Sequence, residues 1–126
     1  MIATRRALPT RRPSWTQKAR VGGTGLFVTC GEYPDGSLGE VFVSVARTGT
    51  AMRSALDALA ITISLGLQHG VPLGTFTAAL RGIDFQPQGV VSDCGEVTRA
   101  TSVIDLLAQH LEAHYEPDGK RRATCP

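Results

Sequence analysis

His110 and His114 are the residues whose spacing first suggests a chemical site. They lie four positions apart, so a helix places both imidazoles on one face, where they bind zinc when a further ligand converges. Glu112 lies between them, whereas the zinc-protease pattern has its acid directly after the first histidine. Because a helix C-terminus favours a nearby cation, the sequence predicts two solvent-facing histidines and no metal site.

Arg53 and Asp57 form a second pair at helical spacing. Asp57 is the only charged residue between Ser54 and Gln68, in an otherwise apolar stretch. A carboxylate in such surroundings must be paired, line a pocket or face water. Arg53 lies one turn earlier, so an ion pair between the two is the leading prediction. An Arg–Asp pair would also suit a polar ligand, and both residues are therefore candidates for binding a ligand or partner.

Residues 31–40 supply three further candidates, Tyr33, Asp35 and Glu40. They lie between two runs of β-forming residues, 26–30 and 41–46, and the Pro-Asp-Gly sequence at 34–36 is typical of a turn. An antiparallel hairpin with a wide loop is predicted. The serines, histidines, acids and cysteines of the chain show no spacing that predicts a catalytic set.

The first 20 residues are strongly basic. They hold six of the 13 Lys and Arg residues, and the first acidic residue is Glu32. Two prolines and the lack of a hydrophobic period predict an extended arm over residues 1–20. A solubilising tail or linker is the favoured interpretation, and an electrostatic contact with nucleic acid, nucleotide phosphates or an acidic partner is the alternative. The basic residues of the arm are Arg5, Arg6, Arg11, Arg12, Lys18 and Arg20.

Residues 49–70 are the stretch around which the remaining elements are organised. Apolar residues recur there at helical spacing, namely Met52, Leu56, Leu59 and Ile63. Thr50 is the predicted N-cap and Gly70 ends the helix. A membrane span is the alternative, but polar residues interrupt a run already shorter than the roughly 18 residues that a bilayer helix needs. A buried central helix is therefore predicted.

The expected fold class is α+β. An antiparallel hairpin or small sheet packs on the long central helix, and two further helices are predicted near 73–81 and from Thr101 or Ser102 onward. The glycines at 22–25 precede a strand and predict a turn instead of a phosphate-binding loop. We expect a basic arm at 1–20, one domain at 21–115 and a polar tail at 116–126.

Three cysteines, Cys30, Cys94 and Cys125, are widely separated and form no C-x-x-C pair. Reduced thiols are the simplest expectation, and the pattern assigns them no role. The basic start is followed by prolines instead of an apolar stretch, so no signal peptide is predicted. A cytoplasmic location is the resulting expectation.

An ordered set of segments resembles one protein family. The set is TQKAR at 16–20, VGG at 21–23, GEYPDG at 31–36, GEVFV at 39–43, RS at 53–54, AI at 60–61, SLGLQ at 64–68, GVPL at 70–73, FQPQG at 85–89 and TSVID at 101–105. In this order the segments are similar to the C-terminal region of adenosylcobalamin-dependent (class II) ribonucleotide reductases, a module called the TSCPD domain. The resemblance covers residues 4 to 115, nearly the whole chain.

The resemblance implies a fold and an association with deoxynucleotide metabolism. Family members reduce ribonucleotides with a cobalamin-generated thiyl radical held in an α/β barrel, and that barrel and its cysteines lie outside this region. We therefore expect a free-standing accessory domain that binds no cofactor itself and has no activity alone. Its expected partners are a reductase catalytic subunit, a second copy or a nucleotide, without a membrane. A small nucleic-acid-binding or regulatory protein that acts through the basic arm is the alternative.

Overall fold

The computed structural model of the chain describes residues 4–123 as an α+β fold. The elements follow the order β1 (Ser14–Val21), β2 (Thr24–Glu32), β3 (Leu38–Val45), α1 (Thr50–Gln68), α2 (Leu73–Leu80), β4 (Gly89–Ser92), β5 (Arg99–Ala100) and α3 (Val103–His114). The fold class and the three helices agree with the sequence prediction.

The five strands form one antiparallel sheet in the order β3-β2-β1-β4-β5. β2 and β3 make the predicted hairpin, with Val28 opposite Val43. β1 pairs with β2 along its whole length, from Ser14 opposite Gly31 to Val21 opposite Thr24. Residues 14–20 of the predicted arm are therefore a strand of the sheet, because their alternating side chains bury one face in the core.

A tight glycine turn joins β1 to β2, as the sequence predicted. Gly22 and Gly23 adopt φ values of 55° and 84°, which glycine reaches at little cost. A Cβ on Gly22 would lie 2.6 Å from the carbonyl oxygen of Gln88, so the turn also needs glycine for space. The close approach fixes this turn against the chain that leads into β4.

One face of the sheet holds the core. The core cluster joins buried side chains of the strands to those of α3, with Val21, Leu26, Val28 and Val41 from the sheet and Val103, Leu106, Leu107 and Leu111 from the helix. Ser102, one of the two predicted start positions of the last helix, is the N-cap of α3, since its hydroxyl accepts a hydrogen bond from the Asp105 N–H at 3.0 Å. α2 packs on α3 and completes this side of the molecule.

α1 packs on the sheet as predicted, but it is not buried on most sides. Only four of its residues are buried, namely Leu56, Ala60, Ile63 and Gln68. Ile61 and Leu65 are 59% and 41% exposed. α1 lies along β3, at the edge of the sheet, so one side of the helix contacts protein and the opposite side faces outward. Its N-cap is Gly49 instead of Thr50, without a side-chain cap.

α1 covers the backbone of the edge strand. The Ser64 hydroxyl accepts a hydrogen bond from the Val41 N–H at 2.9 Å, and the Gln68 amide donates to the Gly39 carbonyl at 3.0 Å. An uncovered edge strand would offer these groups to another chain. Among residues 4–123, α1 is the one helix long and apolar enough to cross a bilayer by length and composition. These two side-chain contacts fix it to β3.

Two surfaces remain open. We call the exposed α1 residues Ala58, Ile61, Thr62 and Leu65 the helix face. The second surface, the outer sheet face, is the side of β1–β3 opposite the core, and it carries Thr16, Lys18, Arg20, Phe27, Thr29, Phe42 and Ser44. The sequence predicted that the side bearing Phe42 is at least partly covered, but Phe42 is 53% exposed.

The polar tail turns back onto the domain. Tyr115 pairs with Arg121, and Lys120 pairs with Ser37 at the hairpin loop. The Leu38 N–H donates to the Gly119 carbonyl at 2.9 Å. Residues 116–123 are therefore continuous with the sheet end of the fold, while Cys125 lies outside the described residues.

Candidate functional site

Hydrogen bonds within the hairpin loop fix the position of its acidic residue, Asp35. The Asp35 carboxylate accepts hydrogen bonds from the Ser37 N–H at 3.0 Å and the Ser37 hydroxyl at 2.6 Å, and Gly36 adopts a φ of 86°. The two hydrogen bonds from Ser37 lower the pKa of Asp35, with a smaller contribution from the nearby Arg6. Asp35 is therefore held as an exposed carboxylate at the tip of the loop.

Arg6 binds the loop through Tyr33. Its guanidinium lies 3.9 Å from the centre of the Tyr33 ring, and the Tyr33 hydroxyl donates a hydrogen bond to the Arg6 carbonyl. Arg6 also approaches Asp35 at 3.6 Å, although both of these side chains are more than half exposed. Burial raises the pKa of Tyr33, while the positive charge of Arg6 opposes that shift. Tyr33 is thus a neutral hydrogen-bond donor under ordinary conditions.

Arg12 and Glu40 form the strongest ion pair of this region. Two guanidinium nitrogens of Arg12 donate to Glu40 at 2.8 to 3.0 Å, and a third donates to the Pro9 carbonyl at 2.8 Å. The Glu40 side chain crosses Gly31, where a Cβ would lie only 2.5 Å from the Glu40 Cγ. Gly31 therefore makes room for a carboxylate that is only 10% exposed.

Arg5 is bound to the end of α1. Its Nε donates to the Gln68 side-chain oxygen at 2.7 Å, and the Arg6 N–H donates to the Gln68 carbonyl at 2.7 Å. Gln68 thus links the N-terminal segment to Gly39 of β3. Sequence reasoning missed Gln68, because a single amide at the end of an apolar helix carries no pattern that marks it as a connector.

The structure brings together three of the five predicted ligand residues and three of the six predicted arm cations. We call this set, Tyr33, Asp35, Glu40, Arg5, Arg6 and Arg12, the hairpin cluster. A cleft of about 380 Å³ opens beside it, lined by Arg6, Tyr33, Gln68 and His69 among others. The cleft offers a cation and an aromatic ring to a small polar ligand.

The other predicted residues lie elsewhere. Arg53 and Asp57 are exposed on α1, and the ion pairs within residues 4–123 do not include the predicted Arg53–Asp57 pair. Arg11 is exposed, and Lys18 and Arg20 lie on the outer sheet face. Apart from Arg11, the basic residues of the first 20 positions therefore lie on two surfaces, the hairpin cluster and the outer sheet face, instead of on one extended arm.

The two histidines are buried, which contradicts the prediction that they face solvent. His110 and His114 are 1% and 8% exposed, and their rings pack against each other and against Trp15, with centres 4.8 to 5.2 Å apart. Burial lowers the pKa of His110 to about 4 and also lowers the pKa of His114. The face of α3 that bears both histidines is turned inward, because it packs against Trp15 of β1.

A buried network surrounds these rings. The Trp15 Nε1–H donates to the Tyr115 hydroxyl at 2.8 Å, and Tyr115 donates to Glu32. Cys94 is buried beside His110, with its sulphur 4.0 Å from Nδ1. No three His, Cys, Asp or Glu side chains within residues 4–123 converge as metal ligands would. We interpret the network as structural, because it ties β1, β2 and α3 together.

Comparison with known proteins identifies a matching family. A family model described as the TSCPD domain matches residues 3–115. A vitamin B12-dependent ribonucleotide reductase of Bradyrhizobium diazoefficiens is 41% identical over 115 residues, which are 91% of this chain and 9% of the relative. The protein of the same name from Agrobacterium fabrum is 40% identical over 111 residues, which are 88% and 9% of the two chains.

A third relative is also much longer than this chain. The vitamin B12-dependent ribonucleotide reductase of Streptantibioticus cattleyicolor is 36% identical over 119 residues, 94% of this chain and 20% of the relative. The chain thus spans between 9% and 20% of the length of these relatives. No solved structure matches it.

Proposed function

Because the chain belongs to the TSCPD domain family, we propose that it is a non-catalytic accessory domain that binds the catalytic part of a vitamin B12-dependent ribonucleotide reductase. The observation that carries the proposal is the relation of lengths, since the match takes in 91% of this chain but only 9% of a reductase. In such relatives the matching region is one part of a much longer chain, and it therefore has neighbouring protein to contact.

The helix face supports a protein partner. It presents Ile61 and Leu65 with the small residues Ala58 and Thr62, and the exposed Asp57 lies one turn before Ile61. Large apolar side chains that face outward side by side mark sites of contact with other proteins. The Ile61 and Leu65 side chains also line a cleft of about 180 Å³ together with Phe42 and Arg5. An apolar side chain of the partner would fill this cleft, and Arg5 would donate hydrogen bonds to a carboxylate of the partner at its rim.

The experiment is a binding titration between this chain and the catalytic chain of a B12-dependent reductase, read by analytical ultracentrifugation. Ile61→Asp and Leu65→Asp should each weaken the complex at least 30-fold, because a charge placed in the centre of an apolar interface costs about 2 kcal/mol or more. Val90→Asp is the matched control, since Val90 is 63% exposed on another element. Equal effects of all three variants, or no complex at all, would refute the proposal.

The same measurement separates a reductase partner from a second copy of this chain. Self-association through the helix face would give a dimer of the chain alone that Ile61→Asp dissolves. In that case the added reductase chain would sediment independently. A heterocomplex formed by a chain that is monomeric by itself is the expected result.

A nucleotide is the second candidate ligand, and the cleft beside the hairpin cluster supports it. Arg6 supplies a positive charge there, and the Tyr33 ring lies directly beneath it. Calorimetry with ribonucleotides and deoxyribonucleotides should then show binding that Arg6→Gln weakens and Arg53→Gln does not. Arg53 is the control because it is an exposed cation outside the cluster.

Adenosylcobalamin is not assigned to this chain. The cleft beside Gly74 and Pro117 has about 540 Å³ and the cleft beside the hairpin cluster about 380 Å³, both in the range of drug-sized ligands. A corrinoid with its nucleotide loop and adenosyl group is much larger than such a ligand, so the cleft residues do not fit it. We expect the cofactor to be held by the catalytic chain.

A further inference from the structure

The outer sheet face combines exposed aromatic rings with positive charge. Phe27 and Phe42 are 48% and 53% exposed on neighbouring strands, although large aromatic residues are normally buried. Phe27 pairs with Ser44 across β2 and β3, and Phe42 pairs with Thr29 two positions away. The two rings are therefore diagonal neighbours, whose Cα atoms lie roughly 7–8 Å apart.

Three cations border the rings. Lys18 lies directly opposite Phe27 in the β1–β2 register, and Arg20 follows it on the same face of β1. Arg20 and Arg47 both line a cleft of about 320 Å³ at the β1–β2 turn, with Gly23 and Gly25 between them. Arg20 donates to the Gly23 carbonyl at 3.2 Å, and its guanidinium remains open to solvent at this end of the sheet.

These cations have no acidic partners among the described residues. The ion pairs within residues 4–123 do not include Lys18, Arg20 or Arg47. Glu40 lies two residues before Phe42 on the same side of β3, and it is neutralised by Arg12 at 2.8 Å. The face therefore carries a net positive charge beside two stackable rings.

We propose that the outer sheet face binds single-stranded nucleic acid, with bases stacked on Phe27 and Phe42 and phosphates held by Lys18, Arg20 and Arg47. Open sheet surfaces with exposed aromatic residues and flanking cations suit unpaired bases, because every base has a face that stacks and every nucleotide has a negative charge. The proposal does not depend on the reductase proposal, although Phe42 also lines the small cleft beside Ile61 and Leu65, where the two surfaces meet.

The charge pattern disfavours the other occupants of an open sheet. A second copy related by two-fold symmetry would bring its own Lys18 and Arg20 toward those of the first copy, and like charges repel. A free nucleotide would need an enclosing pocket, whereas Phe27 and Phe42 stand on an open surface. A duplex hides its bases from the rings and would use the cations alone.

The test is fluorescence anisotropy of a labelled 15-nucleotide oligothymidine titrated with the intact 126-residue chain at 50 mM salt. Phe27→Leu keeps an apolar side chain but removes the aromatic ring, and we expect it to weaken binding about tenfold. Three phosphate contacts predict a slope of about −2 for the logarithm of the association constant against the logarithm of salt concentration. Lys18→Gln should reduce that slope by about 0.7.

Two control variants each remove one positive charge, as Lys18→Gln does, but from other parts of the fold. Arg53→Gln removes one exposed cation from α1, and Arg11→Gln removes one from the N-terminal segment outside the face. Both should leave binding and its salt slope nearly unchanged, with far-ultraviolet circular dichroism as the check on folding. A loss with Arg11→Gln as large as with Lys18→Gln would overturn the proposal in favour of an N-terminal contact.

Three other results would also overturn it. One is no binding at 50 mM salt, and another is equal affinity for a duplex of the same length. The third is weaker reductase binding by Phe27→Leu together with unchanged oligonucleotide binding, which would identify the face as a protein contact. Phe27 does not line the cleft at Ile61 and Leu65, so Phe27→Leu should leave reductase binding intact, and failure of the reductase proposal and failure of this one give different results.

Discussion

Acidification below pH 6.5 should destabilise this protein through His110. An unfolded histidine has a pKa near 6.5, whereas burial lowers the pKa of His110 to about 4. Between these values the unfolded chain binds a proton that the folded chain does not. The stability is therefore complete above pH 6.5 and is lost as the pH falls toward 4.

The magnitude follows from the two pKa values. At pH 5 the unfolded histidine is almost fully protonated and the folded one almost fully neutral, so the free energy of unfolding falls by about 2 kcal/mol relative to pH 7.5. His110 is 1% exposed, and solvent screening is therefore small. His114 has a lowered pKa and adds to the loss, while Glu96 opposes the shift in both histidines.

Urea unfolding of the wild type and of His110→Leu at pH 7.5 and pH 5 measures this contribution. The variant should lose about 2 kcal/mol less than the wild type between the two pH values. Comparing pH differences cancels the packing cost of the substitution against Trp15 and His114. The lowered pKa of Asp105 affects stability below pH 3.8 and does not interfere. Equal pH dependence in both proteins would refute the argument.

Two further predictions concern contacts of β3. Ser64→Ala leaves the Val41 N–H without its hydrogen bond, so it should lower the free energy of unfolding by about 1–2 kcal/mol in urea titrations. Thr62→Ala, on the exposed side of α1, is the control and should change the free energy of unfolding by less than about 0.5 kcal/mol. Gly31→Ala displaces the Glu40 side chain and should cost about 1–3 kcal/mol by thermal unfolding; an unchanged melting temperature would show that the carboxylate does not need this space.

The hairpin cluster shows how far sequence reasoning reached for the candidate site. Tyr33 and Asp35 were found because Pro34 and Gly36 mark a turn from local sequence alone. The contact of Arg6 with this loop spans 27 residues of sequence, and neither segment contains a signal for the other. Ion pairs between distant segments depend on how the sheet and its flanking segments pack.

The histidine pair is a case in which the sequence indicated the right spacing but the wrong surroundings. Helical spacing correctly placed His110 and His114 on one face of α3, but the chemistry of a helix end suggested that this face meets water. Trp15, almost 100 residues earlier, covers that face instead. The period of side chains along a helix is local, whereas the identity of the element that packs on each face is not.

The amino-acid sequence by itself determined the helices, the hairpin, the glycine turn and the resemblance to reductase C-terminal regions, because periodicity, turn residues and ordered motifs are read along the chain. Only the tertiary structure decided that β1 begins at Ser14, that α1 covers one edge of the sheet, and that Phe27 and Phe42 face outward. An apolar side chain is buried only when another element lies over it, and the sheet order left this side of the strands uncovered.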